Sequence, residues 1–273
     1  MENREEKVEA RPTTVDARLN PAALRDRLGE VAGDYPGRYG VVVLDPDSRR
    51  GVSLSGDAVF TAASIGKLPA LITLYRAADR GDLSLDDEIS ILPEDIQNYG
   101  TGDLRSRAPG TKITLRECAY YLMNKSDNTA WVMLDRYLGK EKVQAELASL
   151  GTTNTNYYAI TTTPEDVLLM LEKIRDPAFT SEGLSKEMLS AMTDTDFEDR
   201  IPASLPPGTR VAHKIGSYED SFGDAGVVFY KDRTGAERHY FIVVLSSGTA
   251  EGSARAAMQE MSLAAYEALA VPR

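Results

Sequence analysis

The pattern of apolar and polar residues predicts strands near both ends of the chain. Residues 39–45 form a continuous apolar run of strand length that ends in an Asp-Pro-Asp-Ser turn, and residues 52–60 predict one or two further short strands. The strand pattern returns beyond Thr209, over residues 211–215, 226–230 and 239–245. A helix is predicted before the first group, starting at Pro21, and another after the last group, over residues 253–269.

Between these ends, apolar residues recur at helical spacing. Residues 64–78 are predicted to be helical because their large apolar side chains share one face, namely Leu68, Leu71, Ile72 and Tyr75. Thr114 and Glu117 have the spacing of a capping box and open a helix that ends near Lys125. Further helices are predicted over residues 127–137, 140–150 and 164–174, the last with Thr163 as its N-cap.

Strands from both ends that enclose a helical middle predict an α/β fold of the α+β type. The expected architecture is one antiparallel sheet flanked by the N- and C-terminal helices, with an all-helical subdomain inserted. We expect residues 21–62 and 205–273 to form the α/β lobe and residues 63–204 the helical lobe, with the Pro-rich segment 201–208 as the return crossing. Residues 1–20 hold almost no large apolar side chain and are expected to be a disordered leader or tether.

Composition narrows the classes of partner. Of the 273 residues, 42% are hydrophobic and 27% are charged, as in an ordinary globular protein, and the net charge of −11 argues against nucleic acid. No apolar run reaches the roughly 18 residues of a membrane span. The start of the chain lacks the apolar core of a signal peptide, so we expect either no export by that route or a removed preceding segment. The single cysteine, Cys118, excludes an internal disulfide.

Ser64 and Lys67 can build a nucleophile without histidine. On a helix, positions three apart share a face, so the Lys67 amine would lie beside the Ser64 hydroxyl. Burial disfavours the ammonium form of lysine, and a neutral amine can take the proton of Ser64 and make it attack a carbonyl. Alone the pair is a weak signal, because a helix start followed by a solvated lysine has the same residues.

Two further motifs strengthen this interpretation. The first is Ser126-Asp127-Asn128, which by itself would also serve as a turn and helix cap. The second is Lys214-Ile215-Gly216-Ser217, which by itself is a strand that finishes in a glycine turn. Both have simple structural explanations, and only their order with Ser64 and Lys67 is informative.

Together the three motifs resemble the signature of the penicillin-recognising serine enzymes. These bacterial enzymes, the class A β-lactamases and the penicillin-binding DD-peptidases, carry Ser-x-x-Lys, Ser-Asp-Asn and Lys-Thr-Gly in that order. The neighbouring segments 60–64, 109–111 and 161–164 agree as well, and the resemblance covers roughly residues 21–270. It implies a β-lactamase/transpeptidase-like fold, an extracytoplasmic location and no cofactor or metal.

The resemblance also implies a role for each motif residue. Ser64 would be the acylated nucleophile, Lys67 its base, and Ser126 the relay of a proton to the leaving nitrogen. Lys214 would supply positive potential and help bind a substrate carboxylate. Substrate-binding contacts would come from Asn128, Gly216 and Ser217, and the backbone N–H groups of Ser64 and Ser217 would form the oxyanion hole.

The sequence departs from the family at two places. Ile215 replaces the usual Thr or Ser of the third motif and removes a hydroxyl. The connection over residues 152–160 has no carboxylate, whereas class A β-lactamases carry there the Glu that activates the deacylating water. The next carboxylates, Glu165 and Asp166, are expected in the first turn of a helix, and either could replace the missing Glu only as a minor alternative.

These departures favour a penicillin-binding, DD-peptidase-like serine acyl hydrolase that forms an acyl-enzyme at Ser64 and deacylates β-lactams slowly. A functional class A-type β-lactamase with another deacylation route is the alternative enzyme. A binding or sensor module that penicillin acylates, or that is not catalytic, is the alternative from another class. The expected partner is a small molecule or peptide, either a β-lactam or an acyl-D-Ala-D-Ala-like compound, and the chain is expected to be a monomer.

The remaining notable side chains receive mainly structural interpretations. His213 and His239 lack a metal-ligand pattern around them and are expected to be structural. Trp131 is expected to lie in the core. Arg105 and Arg107 would either border the site or lie in a solvated loop, and Tyr157 and Tyr158 would either close the cleft or pack in the core.

Overall fold

The computed structural model describes residues 20–270. The predicted leader lies outside the described residues apart from Asn20, whose side chain caps the first helix. In chain order the helices and strands are α1 (Pro21–Asp34), β1 (Arg38–Asp45), β2 (Arg50–Leu54), β3 (Phe60–Thr61), α2 (Leu68–Asp79), β4 (Glu88–Ser90), β5 (Lys112–Thr114), α3 (Leu115–Asn124), α4 (Asn128–Leu138), α5 (Lys140–Leu150), β6 (Thr161–Thr162), α6 (Pro164–Arg175), α7 (Glu182–Ala191), β7 (Val211–Tyr218), β8 (Ser221–Lys231), β9 (Glu237–Ser247) and α8 (Glu251–Leu269).

The large sheet is antiparallel throughout and has the order β2-β1-β9-β8-β7. Its central strand β9 is buried on both faces, and its side chains alternate between two apolar cores. Ile242 and Val244 pack with α1 and α8, whereas Phe241 and Val243 face the helices inserted between β3 and β7. The predicted fold class, an antiparallel sheet between terminal helices and an inserted helical subdomain, is confirmed.

Helix α2 is the centre of the helical part. Nine of its residues are buried, so it is apolar almost all round and is surrounded by the other helices. The predicted capping box opens α3: the Thr114 hydroxyl accepts from the N–H of Glu117 at 3.1 Å, and the Glu117 carboxylate accepts from the N–H of Thr114 at 2.9 Å. Thr163 caps α6 by accepting from the N–H of Asp166, as predicted.

Several boundaries differ from the predictions. Residues 63–67 form a 3-10 turn, so α2 begins only at Leu68. Strand β8 begins at Ser221, five residues before the predicted start at Gly226. The returning chain already packs against the terminal helices at Ile201, whose carbonyl oxygen accepts from the Ser262 hydroxyl of α8 at 2.8 Å. Within residues 20–270, no helix is both long and apolar enough to cross a membrane.

Candidate active site

Ser64 lies in the 3-10 turn that precedes α2, and strand β7 packs directly against this turn. The approach is close because β7 has a glycine there: a Cβ on Gly216 would lie 2.6 Å from the carbonyl oxygen of Ala62. Ala63 has φ +47°, a strained backbone angle for an L-residue, and Ser126 has φ +50°. The chain is therefore held in unusual conformations on two sides of the Ser64 hydroxyl, which stays partly exposed.

Lys67 is fully buried and its amine is surrounded by oxygen atoms. Its Nζ lies 2.8 Å from the Ser64 Oγ, 2.8 Å from the Asn128 Oδ1, and 2.9 and 3.3 Å from the carbonyl and hydroxyl oxygens of Ser126. Burial lowers the pKa of Lys67 to about 7, although the Asp127 carboxylate acts in the opposite direction. A large fraction of this amine is therefore neutral near pH 7 and can accept the Ser64 proton.

Ser126 links the two lysines of the site. It lies in the turn between α3 and α4, and the Lys214 Nζ donates to its Oγ at 2.9 Å. Lys214 is also fully buried, and burial together with the neighbouring Lys67 amine lowers its pKa well below the usual value. The Ser126 hydroxyl thus lies between two amines and can receive a proton from either side.

In the second motif, Asp127 has a structural role and Asn128 belongs to the site. Asp127 is the N-cap of α4, where one carboxylate oxygen accepts from the N–H of Ala130 at 2.9 Å and the other from the N–H of Leu104 at 2.8 Å. Asn128 is the first residue of α4, and its amide nitrogen donates to the Tyr99 carbonyl at 3.3 Å. Its amide oxygen accepts a hydrogen bond from the Lys67 Nζ. The start of α4 therefore positions both the N-cap Asp127 and a residue of the site.

An open cavity of about 260 Å³ lies over these groups and is lined by residues from both lobes: Ser64, Gly100, Thr101, Ser126, Asn128, Phe197, Asp199, Arg200, Ile215, Ser217 and Glu251. The sequence-predicted residues Ser64, Ser126, Asn128 and Ser217 therefore share one cleft. Ile215 contributes a side chain to the wall where the family has a hydroxyl. Arg105 and Arg107 are not among the lining residues; Arg105 donates to the Gly100 carbonyl and Arg107 to the Tyr121 hydroxyl.

Arg200 is one of the cavity residues that the sequence did not reveal. Its side chain is only 2% exposed, and it donates to the carbonyl oxygens of Gly216 and Gly223 and to the Ser217 hydroxyl. No spacing or motif around this single arginine signals a site. Asp199 and Glu251, the other charged lining residues, each lie 3.8 Å from the Arg200 guanidinium. Both also pair with Arg255, at 2.8 and 3.2 Å.

The two carboxylates that follow the connection over residues 152–160 have hydrogen-bond partners other than Ser64 and Lys67. Asp166 accepts from the N–H groups of Thr153 and Asn154 and from the Thr155 hydroxyl, and Glu165 accepts from the Ser53 hydroxyl on β2. Both acidic residues lie in the first turn of α6, as predicted. Among the described residues 20–270, no carboxylate forms a hydrogen bond with Ser64 or Lys67. The minor alternative in which Glu165 or Asp166 replaces the missing Glu stays a prediction.

The aromatic residues of this region are not simple core residues. Tyr157 is buried, whereas Trp131 is partly exposed and its ring centroid lies 4.9 Å from the Lys67 Nζ. Trp131, which was expected to be core, packs against the apolar core but stays partly exposed. His213 is buried between Asp224, at 2.8 Å from its Nδ1, and Glu198, at 3.2 Å from its Nε2. His239 packs between Phe229 and Phe241.

Comparison with known proteins identifies the family. A family model described as the beta-lactamase enzyme family matches residues 23–269. The chain belongs to this family. The resemblance drawn from the three motifs is thereby confirmed, and the chain is a serine hydrolase of the β-lactamase and penicillin-binding superfamily.

The similar proteins in this superfamily include enzymes and penicillin-binding proteins. Beta-lactamase VEB-1 of Pseudomonas aeruginosa is 23% identical over 66% of this chain and 67% of its own length. Beta-lactamase AER-1 of Aeromonas hydrophila is 26% identical over 70% of this chain and 67% of its own. Among solved structures, PBP-A is 25% identical with a TM-score of 0.81, covering 92% of this chain and 98% of its own. A variant of PBP-A, likewise 25% identical, is an acyl-enzyme complex with penicillin G; its TM-score is 0.81, over 90% of this chain and 96% of its own.

Proposed function

We propose that this chain is a penicillin-binding, DD-peptidase-like serine acyl hydrolase that acylates readily at Ser64 and releases β-lactam products slowly. The observation that carries the proposal is the complete Ser64–Lys67–Ser126–Lys214 hydrogen-bond network beside a loop, residues 152–160, with no carboxylate. The groups that form an acyl-enzyme are present, and the group that would activate water is not.

Acylation uses the short contacts of the network. The neutral Lys67 amine takes the proton of Ser64 across 2.8 Å, and the Ser64 Oγ attacks the substrate carbonyl carbon. The backbone N–H groups of Ser64 and Ser217 stabilise the oxyanion, each worth about 3–4 kcal/mol in measured cases. Ser126 gives its proton to the leaving nitrogen as the C–N bond breaks, and Lys67 returns a proton to Ser126 across 3.3 Å.

The substrate carboxylate has a binding end in the cleft. The Arg200 guanidinium donates to the Ser217 hydroxyl at 2.6 Å. A guanidinium keeps its positive charge in a buried site, whereas burial lowers the pKa of the neighbouring Lys214 amine. The Asn128 amide projects into the same cleft and can bind the acyl part of a peptide or β-lactam. Substrates with a carboxylate next to the scissile amide, such as acyl-D-Ala-D-Ala peptides and penicillins, fit this arrangement. An extracytoplasmic location, where such peptides occur, belongs to the same proposal.

The relatives favour a second candidate function. VEB-1 and AER-1 are named beta-lactamases, so a class A-type β-lactamase with a non-standard deacylation route is the alternative. In that case the Lys67 amine is the nearest group able to act as a base on water.

Incubation with a chromogenic cephalosporin separates the two candidates. We expect a stoichiometric burst of colour followed by very slow turnover, and mass spectrometry should show one adduct per chain. Sustained turnover would support the β-lactamase instead. Ser64→Ala should abolish both signals, whereas Ser149→Ala, at an exposed position on α5, should leave them unchanged. Absence of both an adduct and turnover on the unmodified protein would refute both enzyme candidates.

A further inference from the structure

Trp131 lies beside the turn that joins Ser64 to Lys67 and is not among the residues that line the substrate cleft. A Cβ placed on Gly66 would come within 3.5 Å of the Trp131 Cη2 and 3.2 Å of the Ile160 Cγ2. The indole face is also 4.9 Å from the Lys67 Nζ, measured to the ring centroid. Trp131 and Ile160 therefore cover the backbone that joins the nucleophile to its base.

The indole is held in this position by a chain of hydrogen bonds. Its Nε1 donates to the Tyr157 hydroxyl at 2.6 Å, and Tyr157 donates to the Asp135 carboxylate one turn further along α4. Asp135 lies 3.4 Å from the Lys140 amine. Tyr157 is itself fixed, because it is buried and its N–H donates to the Gln144 side chain at 2.7 Å. The ring therefore has one well-defined orientation relative to Lys67.

The space between the turn that carries Ser64 and residues 152–160 is at the lower limit for a single water. The cavity there has a volume of about 10 Å³. Its lining is mostly apolar but also includes the polar residues Thr155, Asn156, Thr161 and Thr162. A buried water needs about 10–15 Å³ and two to four polar partners. The Lys67 amine offers no vacant side either, because its neighbours are Ser64, Ser126, Asn128 and the indole face.

We propose that Trp131 is a positioning residue that closes the rear face of the Ser64–Lys67 pair to water and so prolongs the life of the acyl-enzyme. The inference rests on the proposed function, which places the acyl group on Ser64. Hydrolysis would require water to bond to the ester carbon, give its proton to Lys67, and release Ser64, whose Oγ takes that proton back as the C–O bond breaks. With substrate in the cleft, a water that uses Lys67 as its base would have to come close to the amine, beside which the indole lies.

The test compares acyl-enzyme lifetimes. Each protein is acylated with penicillin G, freed of excess ligand, and followed by mass spectrometry. Trp131→Ala should shorten the adduct lifetime at least tenfold, and Tyr157→Phe, which removes the indole acceptor but keeps the ring, should shorten it less. Leu134→Ala is the matched control, because it opens the core on the same helix without contacting Lys67, and its adduct lifetime should stay within twofold.

A second measurement distinguishes the exclusion of water by Trp131 from a general loss of protein stability in the variant. Water admitted beside Lys67 would solvate its ammonium form, so the pH midpoint of acylation should move upward in Trp131→Ala and not in Leu134→Ala. The charged or titratable groups facing Lys67 are Lys214 and Asp127, and both are retained in these variants. If Trp131→Ala does not fold, Trp131→Phe and Tyr157→Phe decide the question by the same two measurements.

The outcomes separate the inference from the function beneath it. A long-lived wild-type adduct whose lifetime is unchanged in the Trp131 and Tyr157 variants overturns the inference alone. A wild-type protein that forms no adduct, or that hydrolyses penicillin G rapidly, overturns the proposed function and the inference together. A short-lived adduct in the Trp131 variants, with the control unchanged, supports both.

Discussion

At the scale of single residues, the site depends on two lysine amines that share one serine. Lys67 and Lys214 both lie within hydrogen-bond distance of the Ser126 Oγ, and burial lowers the pKa of each. Two ammonium groups this close in a buried site would repel each other strongly. At least one amine is therefore neutral near pH 7, so a neutral amine is available in the site without histidine.

The pH dependence of acylation should follow Lys67. Its pKa of about 7 predicts that the acylation rate constant rises with pH through 7 and then levels. Below pH 7 the rate should fall about tenfold per pH unit, because only the neutral amine accepts the Ser64 proton. Stopped-flow measurement with a chromogenic β-lactam from pH 5 to 9 checks this. Lys67→Arg, which cannot lose its proton, should acylate at least about 100-fold more slowly at every pH. A flat profile would contradict the assignment of Lys67 as base.

The sequence predicted those site residues that belong to motifs and missed those defined only by packing. Ser64, Lys67, Ser126 and Lys214 were found because their chemistry requires particular residue types in a particular order. Arg200 belongs to no such motif. Its position is defined by the return of the 192–210 segment past β7 and β8, where it donates to the carbonyl oxygens of Gly216 and Gly223. Trp131 was interpreted as core because helical spacing cannot tell which large side chain lies beside a catalytic amine.

At the scale of elements, the critical contact is that of β7 with the turn that carries Ser64. The sequence predicted β8 too short because Gly223, Asp224 and Gly226 are poor strand formers. The structure explains these glycines by crowding: a Cβ on Gly223 would lie 2.8 Å from the Ile65 Cδ1, and one on Gly226 2.6 Å from the His213 Cβ. The strands predicted over residues 52–60 reach β3 only at Phe60, and β4 to β6 were missed because two or three residues show no periodicity.

Gly216→Ala should separate β7 from the nucleophile turn. The added Cβ would lie 2.6 Å from the Ala62 carbonyl oxygen, a backbone atom that cannot move aside cheaply. We expect a loss of about 1–3 kcal/mol in the free energy of unfolding and a fall in the acylation rate of at least about tenfold. Gly29→Ala on α1 is the matched control, because a Cβ there meets nothing within 4 Å, and it should stabilise the protein by about 0.5–1 kcal/mol. Normal acylation by Gly216→Ala would contradict the need for this close approach.

At the scale of the whole molecule, one sheet built from both ends of the chain supports a helical insertion, and the site forms where they meet. Strands at the ends and helices in the middle were enough to predict this arrangement. The junction itself could not be predicted. There His213 of β7, the residue next to Lys214, donates its N–H to the Met192 carbonyl just beyond α7, and its ring contacts Glu198 and Asp224. This histidine therefore joins the helical part, the returning segment and the sheet.

The His213 junction should make stability depend on pH. Burial alone would lower the pKa of His213, but Asp224 and Glu198 outweigh it and raise the pKa to about 9. Because the folded-state pKa exceeds the unfolded value of about 6.5, the native state holds the proton more tightly, and this stabilisation is complete below pH 6.5. It is lost as pH rises through 9 and amounts to about 3 kcal/mol. Lys67 contributes in the opposite direction above pH 7, since its folded-state pKa is depressed.

The contribution of His213 is isolated by comparing the wild-type protein with His213→Gln, in which the Lys67 contribution cancels. Urea unfolding followed by the emission of Trp131, the only tryptophan of the chain, gives the free energy of each protein at pH 6, 7.5, 9 and 10. The wild-type advantage should be greatest at pH 6 and should shrink by about 3 kcal/mol by pH 10. An advantage that stays constant with pH would mean that the ring is held neutral and that only its packing joins the two lobes.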